Sequence, residues 1–222
     1  MSMLERALDR VSGRVSQALQ QRAERRFPEM VETLMRLALE MWAGNNWHTF
    51  DQREVNCTAQ LYRWLMEAKR GEVQFSHLNI ELEYLNLTPA MFAGVESVVT
   101  ALRPDLRLGI GQVGIQLECK RLLAGGTWCH DYVHKGMQRF VSSSYGANDP
   151  RGVMVGYVQQ ATSDGLLGSV NGFVLTHPLM GVSHQLRTTL TEPYGSSHLS
   201  SHVRPTDVTI DLRHVWVVLG ET

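Results

Sequence analysis

A chain of 222 residues with 43% hydrophobic side chains is long enough to bury one sizeable core, as a single generous domain or a core domain with a helical extension. Its formal net charge of −1 and pI of about 6.8 exclude the global positive field that advertises a nucleic-acid partner, leaving only a local basic patch. Three cysteines, Cys57, Cys119 and Cys129, fit a reducing compartment better than a disulfide framework, and no signal-peptide run or eighteen-residue apolar span is found, so a cytoplasmic protein without membrane association is expected.

Residues 2–43 carry helical spacing with a break at Phe27-Pro28, which predicts two helices. The first is rich in arginine (Arg6, Arg10, Arg14, Arg22, Arg25, Arg26) and reads as a solvated face ahead of a phosphate- or partner-binding arm. The second carries Met30, Leu34, Leu37, Met41 and Trp42 as core or oligomer contact. Residues 1–44 are therefore set apart as a helical extension of a domain spanning 45–222, through which a second copy or a partner protein could attach. Thr49 or Asp51 is placed to cap a helix running to Lys69, with Val55, Ala59, Tyr62, Leu65 and Met66 on its stripe and Glu54 in its first turn. Alternation over 73–87 suggests a strand, and 89–101 a short helix.

The most informative stretch is 104–120. Polar and apolar residues alternate on both sides of Gly111-Gln112, and glycine in first place of a two-residue loop suits a type II′ turn. Folding there opposes Ile110 to Val113, Leu108 to Ile115, Leu106 to Leu117 and Asp105 to Glu118. One face then holds Leu106, Leu108, Ile110, Val113, Ile115, Leu117 and Cys119, and the other Asp105, Arg107, Gln116, Glu118 and Lys120. Two carboxylates about 5 Å apart at Cβ repel unless a cation or a shared proton compensates. Asp105, Glu118 and the Cys119 carbonyl offer three hard oxygens, which suit Mg²⁺ or Mn²⁺ rather than zinc. Lys120 beside them is placed to hold a water or to stabilise a phosphoryl oxygen. The chemistry this suits is metal-assisted hydrolysis of a phosphodiester.

Beyond the hairpin, a turn at Gly125-Gly126 precedes a helix expected over 131–145, with Val133, Met137, Phe140 and Val141 inward and His134, Lys135, Gln138 and Arg139 outward. Gly152–Gln159 reads as a strand, 164–176 as a helix, 178–206 as a stretch without pattern, and Val208–Leu219 as a closing strand. The order describes a mixed α/β domain with a central sheet flanked by helices.

At Pro104-Asp105 and Glu118-Cys119-Lys120 the sequence resembles the PD-(D/E)XK nuclease superfamily, the restriction-endonuclease-like fold. The resemblance implies an αβββαβ core over about 50–159. It also implies two further parts: Glu54 as an extra metal ligand from the first core helix, and Gln138 as a polar group facing the metal or the scissile phosphate. It further implies a Mg²⁺- or Mn²⁺-dependent nuclease, DNA ahead of RNA as substrate, acting as an endonuclease in defence against foreign DNA or in repair. The alternative is a catalytically inactive member of the fold, serving as a nucleic-acid or protein-binding subunit. An intact Asp, Glu and Lys set argues against that alternative.

Histidines spaced i, i+4 at His130/His134, beside Cys129, and at His198/His202 provide a weaker zinc reading, with no glutamate placed as a general base. No phosphate-binding glycine loop or serine-hydrolase elbow is found.

Overall fold

The computed structural model describes residues 17–45, 51–83, 103–111 and 113–220. They form a mixed α/β structure in which seven strands build one sheet and helices cover both faces. In chain order the elements are α1 (Gln17–Gly44), α2 (Glu54–Gly71), β1 (Asn79–Leu82), β2 (Leu106–Ile110) and β3 (Val113–Leu122). Then come a helical run α3 (128–141), β4 (Arg151–Val158), α4 (Leu166–Thr176), β5 (Arg187–Glu192), β6 (Gly195–Val203) and β7 (Thr209–Val218). The strands lie in the order β1-β2-β3-β4-β7-β6-β5. Only the β3–β4 and β4–β7 pairs are parallel, and the connection of each contains a helix. The doubly covered central strand β4 is buried from Gly152 to Val158, as its unbroken run of apolar residues and glycine requires.

Helix α1 continues through Pro28, where the sequence predicted a break. A proline in a helix interior costs about 3 kcal/mol. Against that, Phe27, Val31, Leu34, Met35, Ala38, Leu39 and Trp42 form an unbroken stripe at helical spacing, each with at most 4% of its surface exposed. Burying one such large side chain stabilises by about 1.5–3 kcal/mol, so the stripe outweighs the proline. These residues share one core with α2 and the sheet, so the part of the helical extension described here is packed into the domain. The expected stripe was rotated: Met41 is exposed, and Met30 and Leu37 are only partly buried.

The same occurs in α2. Its buried line is Cys57, Thr58, Leu61, Trp64, Leu65 and Ala68, while Val55 is 73% exposed. Two apolar stripes with helical period coexist in this segment, and only docking on the sheet selects between them. The helix starts at Glu54, and the residue before it, Arg53, makes no side-chain cap; Asp51 instead accepts a hydrogen bond from the Arg53 N–H at 3.2 Å. Thr49, the helix expected over 89–101 and residues 84–87 of the strand expected over 73–87 lie outside the described residues; the described part of that strand is a short helical turn at Val73–Phe75 and a strand at Asn79–Leu82. Among the described residues no helix is long and apolar enough to cross a membrane.

The hairpin adopts the expected register, with Leu106 opposite Leu117, Leu108 opposite Ile115 and Ile110 opposite Val113. Gly111 has φ +57°, the left-handed conformation that a glycine-first turn requires. All seven residues of the expected apolar face join the core shared with α1 and α2. Residues 187–203, which carry no apolar pattern, form the β5–β6 hairpin. Four of its buried side chains, Ser196, His198, Ser200 and His202, are polar and alternate along β6 on the face beneath α3 and α4.

Candidate active site

The register brings Asp105, Glu118 and Lys120 together at the end of the β2–β3 hairpin remote from its turn. Asp105 stands just before β2, and its Oδ2 accepts a hydrogen bond from the Cys119 N–H at 2.7 Å. That bond fixes the aspartate against the Glu118–Lys120 segment. Glu118 has no exposed surface. Two cations compensate it: Lys120 Nζ and Arg139 NH1 each lie 2.9 Å from its Oε1, and NH1 also donates to its Oε2 at 3.0 Å. The contacts at Oε1 are ionic rather than directed, because neither N–H meets hydrogen-bond geometry there. Cys119 turns its thiol into the core, leaving its carbonyl on the site side.

Glu54, the first residue of α2, arrives from 66 positions away in sequence. Its Oε1 lies 2.9 Å from Lys120 Nζ and its Oε2 accepts from the Arg121 backbone N–H at 3.2 Å. Lys120 also donates to the Cys119 carbonyl at 2.9 Å. The ammonium therefore sits at the point where Glu54, Glu118 and the Cys119 carbonyl converge, three of the four ligands expected for a metal ion. Hard oxygens around one positive centre are the donor chemistry that Mg²⁺ or Mn²⁺ would use, and here an internal cation fills that cage. Among the described residues no three acidic, histidine or cysteine side chains converge as a metal set.

The electrostatics agree with a site short of positive charge, three carboxylates facing two cations. Burial raises Asp105 above its ordinary range, with the Cys119 N–H and Lys120 drawing it partly back. Burial and then the neighbouring Asp105 push Glu118 up to about 7, against the pull of Lys120 and Arg139. Burial lowers Lys120, but Glu118 and Glu54 outweigh it and hold the ammonium firmly protonated.

Gln138 is not brought to this site. Its Oε1 faces His177 Nε2 at 3.3 Å, and the neighbouring Arg139 takes the place expected for it. The reason lies in α3, whose central residues Tyr132–Met137 form a π-helical turn between two short α segments. A π turn accommodates an extra residue and shifts the helix phase by about one position. Gly136 allows the close approach that follows: a Cβ there would stand 2.5 Å from Met154 Cε and 3.4 Å from Lys120 Cγ. Sequence reading placed Arg139 on the outward side of a regular helix, and nothing in the residue pattern signalled the π turn.

Among the described residues the histidine pairs belong to no group of three metal-ligating side chains. His130 and His134 stack face to face with ring centroids 4.2 Å apart, and His177 lies 4.4 Å from His134. Both nitrogens of His177 are engaged, Nδ1 accepting from the Leu179 N–H at 3.1 Å and Nε2 donating to Gln138. His198 and His202 lie on β6 rather than on a helix, each bonded to a serine two residues before it.

The chain matches no protein-family model, no curated protein and no solved structure.

Proposed function

We propose that this protein is a metal-dependent nuclease of the PD-(D/E)XK type, hydrolysing phosphodiester bonds, with DNA ahead of RNA as substrate. The observation that carries the reading is the hairpin register: one turn puts Asp105, Glu118 and Lys120 in a single cluster, and Glu54 closes it from a different element. The element order supports it as well. A helix, three antiparallel strands, a helix and a strand parallel to the third follow the αβββαβ arrangement that the resemblance implies, with β7, β6 and β5 extending the sheet.

Asp105, Glu118, Glu54 and the Cys119 carbonyl would hold the ion. Bound there, Mg²⁺ or Mn²⁺ supplies Lewis acidity toward the phosphate and neutralises charge developing on it. Water would add to phosphorus as the bond to the ester oxygen breaks, one water proton ending on the departing oxygen and the other on the phosphate. Lys120, at the edge of this cluster, would offer its ammonium to the attacking water or a phosphate oxygen, where a positive charge stabilises the transition state.

One observation favours a second reading. Lys120 satisfies the cage by itself, so a member of this fold that never takes up metal would hold together as seen, as a nucleic-acid or protein-binding subunit. Thermal unfolding with and without Mg²⁺ or Mn²⁺ separates the two. A ligand that binds only the native state raises Tm, by about 2.7 kcal/mol of stability at a hundredfold excess over Kd. The nuclease reading expects this rise in wild type and its loss in Asp105→Asn. Equal responses in the two proteins would place the metal elsewhere.

A further inference from the structure

Arg139 was absent from the expected site, yet its surroundings are built with care. NH1 spends both its N–H groups, one on Glu118 and one on the Tyr145 hydroxyl at 2.5 Å. Tyr145 in turn donates to the Arg103 carbonyl at 2.9 Å, two residues before Asp105. The loop carrying Tyr145 is pinned from below by Arg204, of which 1% is exposed. Arg204 donates to the carbonyls of Phe140, Ala147, Asp149 and Tyr145 at 2.9–3.2 Å. The anchor of Arg139 is thus fixed before any ligand arrives.

A guanidinium has five N–H donors. With NH1 consumed, the Nε–H and both N–H groups of NH2 make no hydrogen bond among the described residues, and the side chain is 39% exposed. These donors form the fork that matches two oxygens of a phosphate. Lys120 faces three oxygens at 2.9 Å, and Arg107 pairs with Glu81 at 3.2 Å.

We propose that Arg139 holds the phosphodiester at this site, its NH1 anchored on Glu118 and Tyr145 and its Nε–NH2 edge gripping two phosphate oxygens. The inference rests on the nuclease reading and adds to it a substrate contact. It also gives the π turn in α3 a purpose, since without the phase shift the glutamine would occupy this place. Tyr145 and Arg204 are positioning residues, acting through the orientation of Arg139.

The test measures oligonucleotide binding against salt in Asp105→Asn, which removes cleavage, with and without Arg139→Met. One lost phosphate contact lowers the slope of log affinity on log salt by about 0.9 for duplex and about 0.7 for single strands. Arg139→Lys keeps a cation on the buried Glu118, so it is expected to retain the wild-type Tm while losing the fork and at least about tenfold in cleavage rate. An unchanged salt slope in Arg139→Met, or a wild-type rate in Arg139→Lys, overturns the proposal while wild-type cleavage leaves the nuclease reading standing. Wild-type protein that neither binds nor cuts nucleic acid overturns both.

Discussion

The sheet face beneath α3 and α4 buries polar side chains in two separate places, and the two handle the cost differently. On β3, Glu118 is buried as a potential charge, and two cations and a second carboxylate crowd around it. On β6 and β7 the buried groups are neutral. Trp216 can only donate, and it donates to Tyr132 at 3.1 Å; Tyr132 donates to His214 Nδ1 at 2.8 Å. His214 then donates to Ser200 at 2.8 Å and Ser200 to His202 Nε2 at 2.7 Å, an order that leaves a single buried nitrogen, His202 Nδ1, without a partner. A chain of neutral hydrogen bonds satisfies nearly every atom and asks nothing of solvent or ligand. A cluster with one carboxylate too many does ask for something, and that surplus is why the proposed chemistry is placed at the β3 end.

The largest expected effect that sharpens this contrast is at Lys120. Lys120→Met vacates the oxygen cage and removes the mobile charge, so cleavage is expected to fall about a thousandfold, ~4 kcal/mol of barrier, while divalent affinity does not fall. Calorimetry beside a cleavage assay reads both, and a loss of metal binding in this variant would mean that the lysine helps hold the ion instead of competing with it.

Next in size is the opposite response of the two regions to acid. Burial pushes His198 down to about 4 and His202 to about 3, and holds His214 well below its ordinary range. Below pH 6.5 the unfolded chain takes up protons that the native rings refuse. Stability from these rings, present above pH 6.5, is therefore lost as pH falls, on the order of 3 kcal/mol for each of His198 and His202 at pH 4. Glu118 has the reverse sign: with its pKa raised to about 7, the native state binds the proton first, so its contribution is full below about 4.5 and is lost as pH rises through 7. Urea unfolding of Glu118→Gln between pH 7 and 5 should show a steeper acid loss than wild type, and a shallower one would reverse the assignment.

The smallest expected effect is Tyr132→Phe. It takes the acceptor from Trp216 and the donor from His214 without changing the packed ring, a cost of about 1–3 kcal/mol with cleavage unaltered. A large drop in cleavage at full folding would tie the neutral network to the reaction and dissolve the contrast between the regions.

Much of the candidate site was legible in the sequence because a hairpin with two-residue periodicity constrains itself. Once Gly111 sets the turn, the positions of Asp105, Glu118, Cys119 and Lys120 follow from parity alone. The neutral region was illegible for the same reason in reverse. Ser196, His198, Ser200 and His202 alternate with period two, but their polarity disguises them as exposed, and only the partners supplied by β5, β7 and α3 make their burial affordable. Helix phase was the other failure. The stripes of α1 and α2 were rotated because several faces of each helix are apolar enough to bury, and Arg139 was passed over for Gln138 because a π turn leaves no trace in residue pattern.

The measurement that bears most directly on the central claim is cleavage of plasmid and single-stranded DNA, and of RNA, with Mg²⁺ or Mn²⁺, by wild type and by Asp105→Asn. The account expects metal-dependent cleavage of at least one substrate by the wild type and its loss in the variant, with the fold retained. Cleavage that survives Asp105→Asn undiminished would contradict it.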